Sequence, residues 1–323
     1  MTTTAWVIGA RGLLGNAIAH AIGARDGWQL LDADPLPWSD HEALASRVGE
    51  TTRRLLDAAT AEQGDWAIIW AAGAAVTATT PEKLAAELAQ LTAILDTVGA
   101  TLTPDSAGGT LFYASSAGGL YGGSANPPYT ELSEPVPISP YGRFKLQAEG
   151  VVDDFARRYG VSTLVGRIAN LYGPGQKLEK MQGLISQIAR AQFSPTPAAI
   201  YVSLDTVRDY IFVTDCALLV LDGLDRVAVT ARVDGPTHIT KILASGQGVT
   251  IGALLGHFRT LSKGHPHVML GASASSSLQA LDLRLQSVVW PELDARQLTP
   301  LPAGIHATMQ DILNGLQSSR SIA

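Results

Sequence analysis

The sequence has little charge, few aromatic residues and almost no cysteine. Of its 323 residues, 16% are charged, 6% are aromatic and a single one, Cys216, is a cysteine. One cysteine excludes an internal disulfide and favours a reducing compartment. The net charge of −6 comes without a run of basic residues, which argues against nucleic acid as a partner.

Long hydrophobic runs and clusters of metal ligands are also missing. The longest apolar stretch, AIIWAAGAAV from Ala67, is too short to span a bilayer, and the opening MTTTAWVIGA lacks the basic segment typical of a signal peptide. His265 and His267 have no further ligands around them, so they are interpreted as loop histidines and no metal site is predicted. With 46% hydrophobic residues, we expect a cytoplasmic protein with a large core and no membrane partner.

Strand-like and helix-like segments alternate through the first half of the chain. The strand-like runs are AWVIGA from Ala5, WQLLDAD from Trp28, DWAIIWAAG from Asp65, GTLFYASS from Gly109 and STLVGRIANLYGPG from Ser162. Helical patterns occupy LLGNAIAHAIGA from Leu13, Pro81 to Val98 and Lys145 to Tyr159. This alternation is typical of an α/β doubly wound parallel sheet, the Rossmann architecture.

The alternation weakens after Gly175, where mixed segments and loops follow. We therefore predict a Rossmann domain at residues 1–174 and a smaller, mainly substrate-binding C-terminal lobe at residues 175–323. Some strands between about residues 205 and 245 are expected to return to the main sheet, as later strands of such folds do.

The segment GARGLLG carries glycines between the first strand and the first helix. A tight turn there needs positive φ, and a helix N-terminus offers N–H groups and a positive dipole end to a pyrophosphate. A packing turn is the alternative, but the strand–loop–helix context favours a dinucleotide. The candidate cofactor residues of this loop are Gly9, Gly12, Leu13, Leu14 and Gly15.

Acidic residues follow the second strand about twenty positions after the loop. Asp32, with Asp34 as the reserve, is expected to hold the adenosine ribose hydroxyls, which favours NAD over NADP. Arg11, inside the loop, could instead contact a 2′-phosphate. A basic residue after the acid is the usual phosphate partner, but Ala33 follows Asp32, so Arg11 is interpreted as a solvated surface residue.

Tyr141 precedes Lys145 by four residues, so both lie on one helix face. The pair alone could be an ordinary helix-face pair. Ser116, however, ends the strand-like run LFYASS, and strand C-termini line the ligand crevice of a parallel sheet. A neighbouring ammonium and a positive nicotinamide favour a phenolate, which can take a proton from a sugar hydroxyl while Ser116 bonds the same oxygen.

The ordered motifs resemble the extended short-chain dehydrogenases/reductases of the NAD-dependent epimerase/dehydratase family, in particular UDP-glucose 4-epimerases. They are GARGLLG, IIWAAG, YASSAGGLYG, SPYGRFKLQAE, RIANLYGPGQ and TVRDYIFVTD, and they run from residue 6 to 215. The resemblance implies a catalytic set of Ser116, Tyr141 and Lys145, with the last two also at the cofactor.

The resemblance also implies further binding residues. Ala72 and Gly73 are expected to pack near the cofactor, while Ser116, Asn170 and Arg208 would bind the substrate. Asn170 and Arg208 match positions that contact a nucleotide-sugar diphosphate, and a guanidinium grips phosphate well. An ion pair of Arg208 with Asp205 or Asp209 is the alternative.

Three positions depart from the family pattern. Glu87 stands where the family often has asparagine, and Ala75 replaces a common lysine. A late arginine that commonly assists the diphosphate aligns nearest Gln279, with Arg284 close by. These departures weaken the transfer of an exact substrate and cofactor affinity, but leave the reaction core intact.

The resemblance implies an enzyme, and the first hypothesis is a nucleotide-sugar epimerase with tightly bound NAD, acting at C4. The alternatives are an NAD(P)H-dependent reductase of a keto-sugar or another carbonyl and a non-catalytic dinucleotide-sensing protein. A dehydratase is disfavoured because its branch places acids directly after the catalytic Ser or Thr, whereas Ala117, Gly118 and Gly119 follow Ser116. The resemblance further suggests a homodimer through the helices that carry Pro81 to Val98 and Tyr141.

Overall fold

A computed structural model describes residues 1–76, 78–104, 106, 108–176, 183–271 and 280–320. The strands are β1 (Thr3–Ile8), β2 (Trp28–Leu30), β3 (Asp65–Trp70), β4 (Gly109–Ser116), β5 (Ser162–Ile168), β6 (Asn170–Tyr172), β7 (Ala198–Ile200), β8 (Val207–Phe212), β9 (His238–Leu243), β10 (Gly248–Thr250), β11 (Val268–Leu270) and β12 (Asp282–Leu283). The helices are α1 (Leu13–Gly23), α2 (His41–Ala61), α3 (Pro81–Thr101), α4 (Ala117–Leu120), α5 (Pro140–Tyr159), α6 (Leu184–Ala191), α7 (Val213–Asp234), α8 (Ile251–Ser262), α9 (Pro291–Asp294) and α10 (Leu301–Arg320).

The chain divides into two compact units. Unit 1 comprises Met1–Ser116, Pro140–Arg167 and Ala217–Lys241, and unit 2 comprises Ala117–Ser139, Ile168–Cys216 and Ile242–Ala323. Within the described residues, no helix is long and apolar enough to cross a membrane.

Unit 1 is built on a six-stranded sheet with the strand order β2-β1-β3-β4-β5-β9. Pairing is parallel from β2 through β1 and β3 to β4. The predicted α/β fold with a doubly wound parallel sheet is therefore confirmed.

Both faces of this sheet are covered, which explains why its strands read as continuous apolar runs. On one face, side chains from β1, β3 and β4 pack with α2, α3 and α5 in one cluster; Trp6, Ile68, Leu95, Tyr113 and Val152 belong to it. Ala5 and Val7 alternate with Trp6 along β1, so they face the other side of the sheet, and they are also buried. Arg25, two residues after α1, pairs with Asp222 of α7 at 2.7 Å. Helix α2 was not predicted.

Unit 2 has its own sheet and core. Strand β8 pairs with β10, β12 and β6, and β7 pairs with β11. Side chains from α6, α8 and α10 cover a second apolar cluster that includes Ile188, Phe258 and Ile305.

The units differ from the predicted domain boundaries, since residues 117–139 and 168–174 belong to unit 2 and residues 217–241 to unit 1. Residues 117–139 lie in unit 2, because Tyr121 and Tyr129 pack with Ile242 and Leu283 of that unit. Of the strands between residues 205 and 245, β9 joins the large sheet, whereas β8 pairs within unit 2. A local pattern predicts that a strand forms but does not encode its partner, so β8 could not be placed from the sequence.

Candidate active site

The glycine loop folds tightly between β1 and α1. Gly9 has a φ of +95°, and a Cβ there would lie 2.5 Å from the backbone nitrogen of Ala72. A Cβ on Gly15 would lie 2.2 Å from the carbonyl oxygen of Gly9. Gly12 caps α1 in an extended conformation and donates its N–H to Gly9 at 2.8 Å. Only glycine fits at Gly9 and Gly15, so the loop backbone stays open to a close ligand.

This loop lies at the point where the strand order reverses. Strand β1 stands between β2 and β3, and the chain leaves β1 toward β2 before it returns to β3. Ligands of open α/β sheets bind outside the carboxyl ends of the strands at such a point. Ala72 and Gly73 follow directly after β3, and the approach of Ala72 to Gly9 brings these predicted cofactor residues together.

The acids after β2 have different surroundings. The side chain of Asp32 is exposed, and its backbone carbonyl accepts a 2.7 Å hydrogen bond from Arg54. Asp34, the reserve candidate, forms a 2.8 Å ion pair with Arg47. Arg11 is exposed in the loop, as expected of a surface residue. Asp32 therefore remains the acid to which a ribose is assigned.

The predicted catalytic residues come together in unit 1. Ser116 ends β4, and its side chain is hydrogen-bonded to Tyr141 in the first turn of α5. Lys145 follows one turn later, with its Nζ 5.9 Å from the centre of the Tyr141 ring. That Nζ donates to the carbonyl oxygen of Ala114 at 2.9 Å and to the hydroxyl of Tyr113 at 3.3 Å.

Burial shifts the pKa values of this group. Loss of water raises the pKa of Tyr141 to about 12, the Ser116 hydrogen bond opposes that rise, and the negative charge of Glu87 adds to it. Burial lowers the pKa of Lys145 to about 8, while Glu87 and Glu149 act in the opposite direction. The protein alone therefore keeps Tyr141 protonated near neutral pH, so a phenolate needs additional positive charge.

Sequence comparison identifies the family of this site. Residues 5–231 match the model of the NAD dependent epimerase/dehydratase family. The chain belongs to this family. The predicted family is thereby confirmed, and the NAD cofactor predicted from the sequence agrees with the family description.

A curated relative resembles part of the chain. The dTDP-4-dehydro-6-deoxyglucose reductase of Escherichia coli is 28% identical over 145 residues, which cover 45% of this chain and 43% of that protein. The matched segment thus spans less than half the length of this relative.

Solved structures of other proteins resemble nearly the whole chain. The UDP-glucose 4-epimerase of Thermotoga maritima with UDP-glucose has a TM-score of 0.74 at 19% identity, covering 97% of this chain and 99% of that one. RMD from Pseudomonas aeruginosa with NADPH has a TM-score of 0.77 at 20% identity, covering 97% and 100%. At these identities the likeness shows the fold.

The departure from the family at Glu87 has a structural role. Its Oε2 accepts hydrogen bonds from the backbone nitrogens of Ala74 at 3.2 Å and Ala75 at 3.1 Å. Ala75 packs with Phe144 and, in part, with Tyr141. Glu87 therefore fixes the loop after β3 beside Tyr141 and adds a negative charge that the common asparagine lacks.

Of the three predicted substrate residues, Ser116 lies in unit 1, whereas Asn170 and Arg208 belong to unit 2. Asn170 is exposed, and its Nδ2 donates to the carbonyl oxygen of Asp209 at 2.8 Å. Arg208 is 7% exposed, and its guanidinium donates to Val207 at 2.8 Å. Burial lowers the pKa of Arg208, against the opposing influence of Tyr210 and Asp282.

One of the two acids considered as alternative partners of Arg208 is hydrogen-bonded to another residue. Asp209 accepts hydrogen bonds from the backbone nitrogen and hydroxyl of Ser245 at 2.8 and 3.0 Å.

The position of the late arginine is described only in part. Gln279 lies outside the described residues, while Arg284 pairs with Asp282 at 2.8 Å. Among the described residues, no group of His, Cys, Asp and Glu side chains could hold a metal ion.

Sequence reasoning missed two residues that contact or surround Lys145. Tyr113 is 1% exposed and accepts from Lys145, and Glu149 is 9% exposed. The signal for Glu149 was its position four residues after Lys145, on the same face of α5. Tyr113 lies three residues before Ser116, and only the sheet shows that its side chain faces the helix.

Proposed function

We propose that the protein is an NAD-dependent nucleotide-sugar epimerase that acts at C4 of a nucleoside-diphosphate hexose. One observation carries this proposal: Tyr141 is hydrogen-bonded to Ser116, with Lys145 one helical turn away. A sensor of dinucleotides needs no tyrosine prepared for proton transfer, so this arrangement favours catalysis.

The residues present fit NAD. Gly9 and Gly15 leave room that a Cβ would fill, which allows the loop backbone to approach a pyrophosphate at the start of α1. Gly12, Leu13 and Leu14 supply the adjoining backbone. Asp32 is assigned to the ribose hydroxyls, and Ala72, Gly73, Tyr141 and Lys145 to the nicotinamide half. When bound, NAD supplies a reversible hydride acceptor and a positive charge.

The catalytic side chains transfer one proton and hold it during the reaction. As a phenolate, Tyr141 takes the proton of the C4 hydroxyl, while Ser116 donates a hydrogen bond to the same oxygen. Within the protein alone the pKa of Tyr141 is raised to about 12, and the positive charge of a bound cofactor would lower it. Tyr141 returns the proton when the sugar is reduced on its other face, so the cycle consumes none.

The diphosphate has to stay bound while the sugar turns. We assign this role to Arg208 and Asn170, which match the family positions for a nucleotide-sugar diphosphate. Arg208 is buried, and a buried guanidinium holds phosphate more strongly than an exposed one because water screens the charge less.

A reductase is the second candidate, because the Escherichia coli relative acts as one and reductases share the same proton donor. The alanine and glycines after Ser116 disfavour a dehydratase, whose acids follow the catalytic residue directly. The two remaining candidates differ in cofactor use. An epimerase returns its hydride to the sugar, whereas a reductase consumes one NAD(P)H for each product.

A single assay separates the two. The protein is purified without added cofactor and mixed with UDP- and dTDP-hexoses and with their 4-keto forms, while products are followed by chromatography and NADH by absorbance. Interconversion of C4 epimers without net NADH is the expected result. Turnover that requires stoichiometric NAD(P)H and stops when it is exhausted would establish the reductase instead.

A further inference from the structure

A buried carboxylate on α5 connects three elements of unit 1. Glu149 accepts a 2.5 Å hydrogen bond from the hydroxyl of Ser115 on β4. Arg167 on β5 donates to both oxygens of the same carboxylate, from Nε at 3.1 Å and from Nη2 at 2.8 Å. Glu149 is 9% exposed and Arg167 is 8% exposed. These contacts have no part in the proton transfer described above.

Stability alone is a weak reason for such a network. Removing two charges from water costs about as much as their attraction returns, and apolar residues of similar volume often serve a core better. A carboxylate held by two parallel N–H donors has, in contrast, a well-defined position. The network therefore fixes geometry more than it adds stability.

The residues of the network adjoin the catalytic ones. Ser115 immediately precedes Ser116 on β4, and Glu149 follows Lys145 by one turn of α5. Because Tyr141 and Lys145 are both on α5, the distance between the end of β4 and this helix decides whether Ser116 reaches Tyr141 and whether Lys145 reaches the carbonyl oxygen of Ala114. A direct link between Ser115 and Glu149 sets this distance.

We propose that Ser115, Glu149 and Arg167 form a brace that positions Ser116 and Lys145 for proton transfer and places the carboxylate of Glu149 near the lysine. They are positioning residues, since none touches the reacting atoms. Their role in turnover rests on the proposed function, whereas their effect on the lysine depends on the protein alone.

The pKa of Lys145 can be measured to test whether the brace acts on this lysine. The ionisable groups around Lys145 are Tyr113 from β4, Glu87 from α3, and Tyr141 and Glu149 from α5. Arg167 from β5 lies behind Glu149. Without the charge of Glu149, burial and the unbalanced Arg167 would lower the pKa of Lys145 further below about 8.

Glu149→Gln tests the charge while it keeps the shape of the side chain. The full-length protein is labelled with ¹³C at the lysine ε-carbons, and the Lys145 signal, assigned with Lys145→Met, is titrated without substrate. We expect its midpoint to fall by about half a pH unit or more. Asp222→Asn, which weakens the ion pair of Arg25 with α7 in the same unit, should leave the midpoint unchanged. An unchanged midpoint in Glu149→Gln would overturn the proposal.

Ser115→Ala tests the geometry and guards against a Glu149 variant that fails to fold. It keeps both charges and removes only the link to β4. We expect kcat to fall about tenfold, with KM and the thermal midpoint near the wild-type values. Wild-type kcat, or a loss confined to KM, contradicts the brace. If the wild-type protein turns over no sugar, the proposed function fails, and the lysine titration still decides the proposal.

Discussion

The Nζ of Lys145 donates a 2.9 Å hydrogen bond to the carbonyl oxygen of Ala114, two residues before Ser116. This bond joins α5 to the end of β4, and the residue Lys145 is 7% exposed. Burial lowers the pKa of Lys145 to about 8. The fold therefore buries the ammonium group of Lys145, and this burial lowers the free energy of unfolding of the protein.

Lys145→Met should stabilise the protein at pH 7. The folded pKa of about 8 lies below the ordinary value of 10.5, so the unfolded chain binds more protons between these values. Burial of Lys145 thus lowers the free energy of unfolding of the wild type by its full amount below about pH 8, and this loss disappears as the pH rises toward 10.5. We expect the free energy of unfolding in urea to rise by about 1–3 kcal/mol at pH 7 in the variant.

The advantage of the methionine variant should shrink as the pH rises from about 8 to 10.5. Lys83→Met, a change of an exposed lysine on α3, should show no such dependence. A methionine variant that is less stable than wild type at pH 7 would contradict the burial cost.

Tyr141→Phe should abolish most of the turnover but leave cofactor binding nearly unchanged, because one hydroxyl carries the proton. A loss of roughly 10²–10⁴-fold in kcat is expected, and Ser116→Ala should cost less. Steady-state kinetics at saturating substrate provide the measurement, and Tyr159→Phe at the far end of α5 is the matched control. Near-normal turnover of Tyr141→Phe would show that the catalytic assignment is wrong.

NAD should bind more tightly than NADP, because the carboxylate of Asp32 accepts bonds from free ribose hydroxyls and repels a 2′-phosphate. Calorimetric titration of both cofactors measures the preference. Asp32→Asn should reduce it, whereas Asp34→Asn, which weakens the ion pair with Arg47, should change it little. A clear preference of the wild type for NADP would contradict this prediction and favour a contact of Arg11 with the 2′-phosphate.

Arg208→Ala should raise KM strongly if this buried guanidinium holds the diphosphate. The loss in kcat/KM is expected to be about 2–4 kcal/mol, as for a charge-assisted contact. Arg259→Ala removes an exposed arginine of the same unit and should leave KM unchanged. An unchanged KM in Arg208→Ala would show that Arg208 does not hold the diphosphate.

Helices α3 and α5 should form the contact between two copies of the chain. They line a groove of about 760 Å³ in unit 1, where Ala85, Ala89 and Ala93 are small enough for close helix approach. Ala89→Arg should convert a dimer to a monomer in light scattering at micromolar concentration. Ala86→Arg, on the same helix but outside the groove lining, is the control. A monomeric wild type would refute the dimer.

The sequence by itself determined the local parts of the site. Positive φ and close packing at Gly9 are needs of one turn, so the motif GARGLLG was enough to predict them. Tyr141 and Lys145 lie four residues apart on one helix, and helical geometry places them on one face whatever surrounds them. The apolar runs of β1, β3 and β4 likewise indicated a sheet that is covered on both faces.

Only the tertiary structure decided which distant residues meet. Ser115 and Glu149 are 34 positions apart, and Glu149 and Arg167 are 18 apart. No local spacing relates them, because their contact depends on how α5 packs against β4 and β5. The same holds for the pKa of Lys145, since burial is a property of the packed core and cannot be read from neighbours in the sequence.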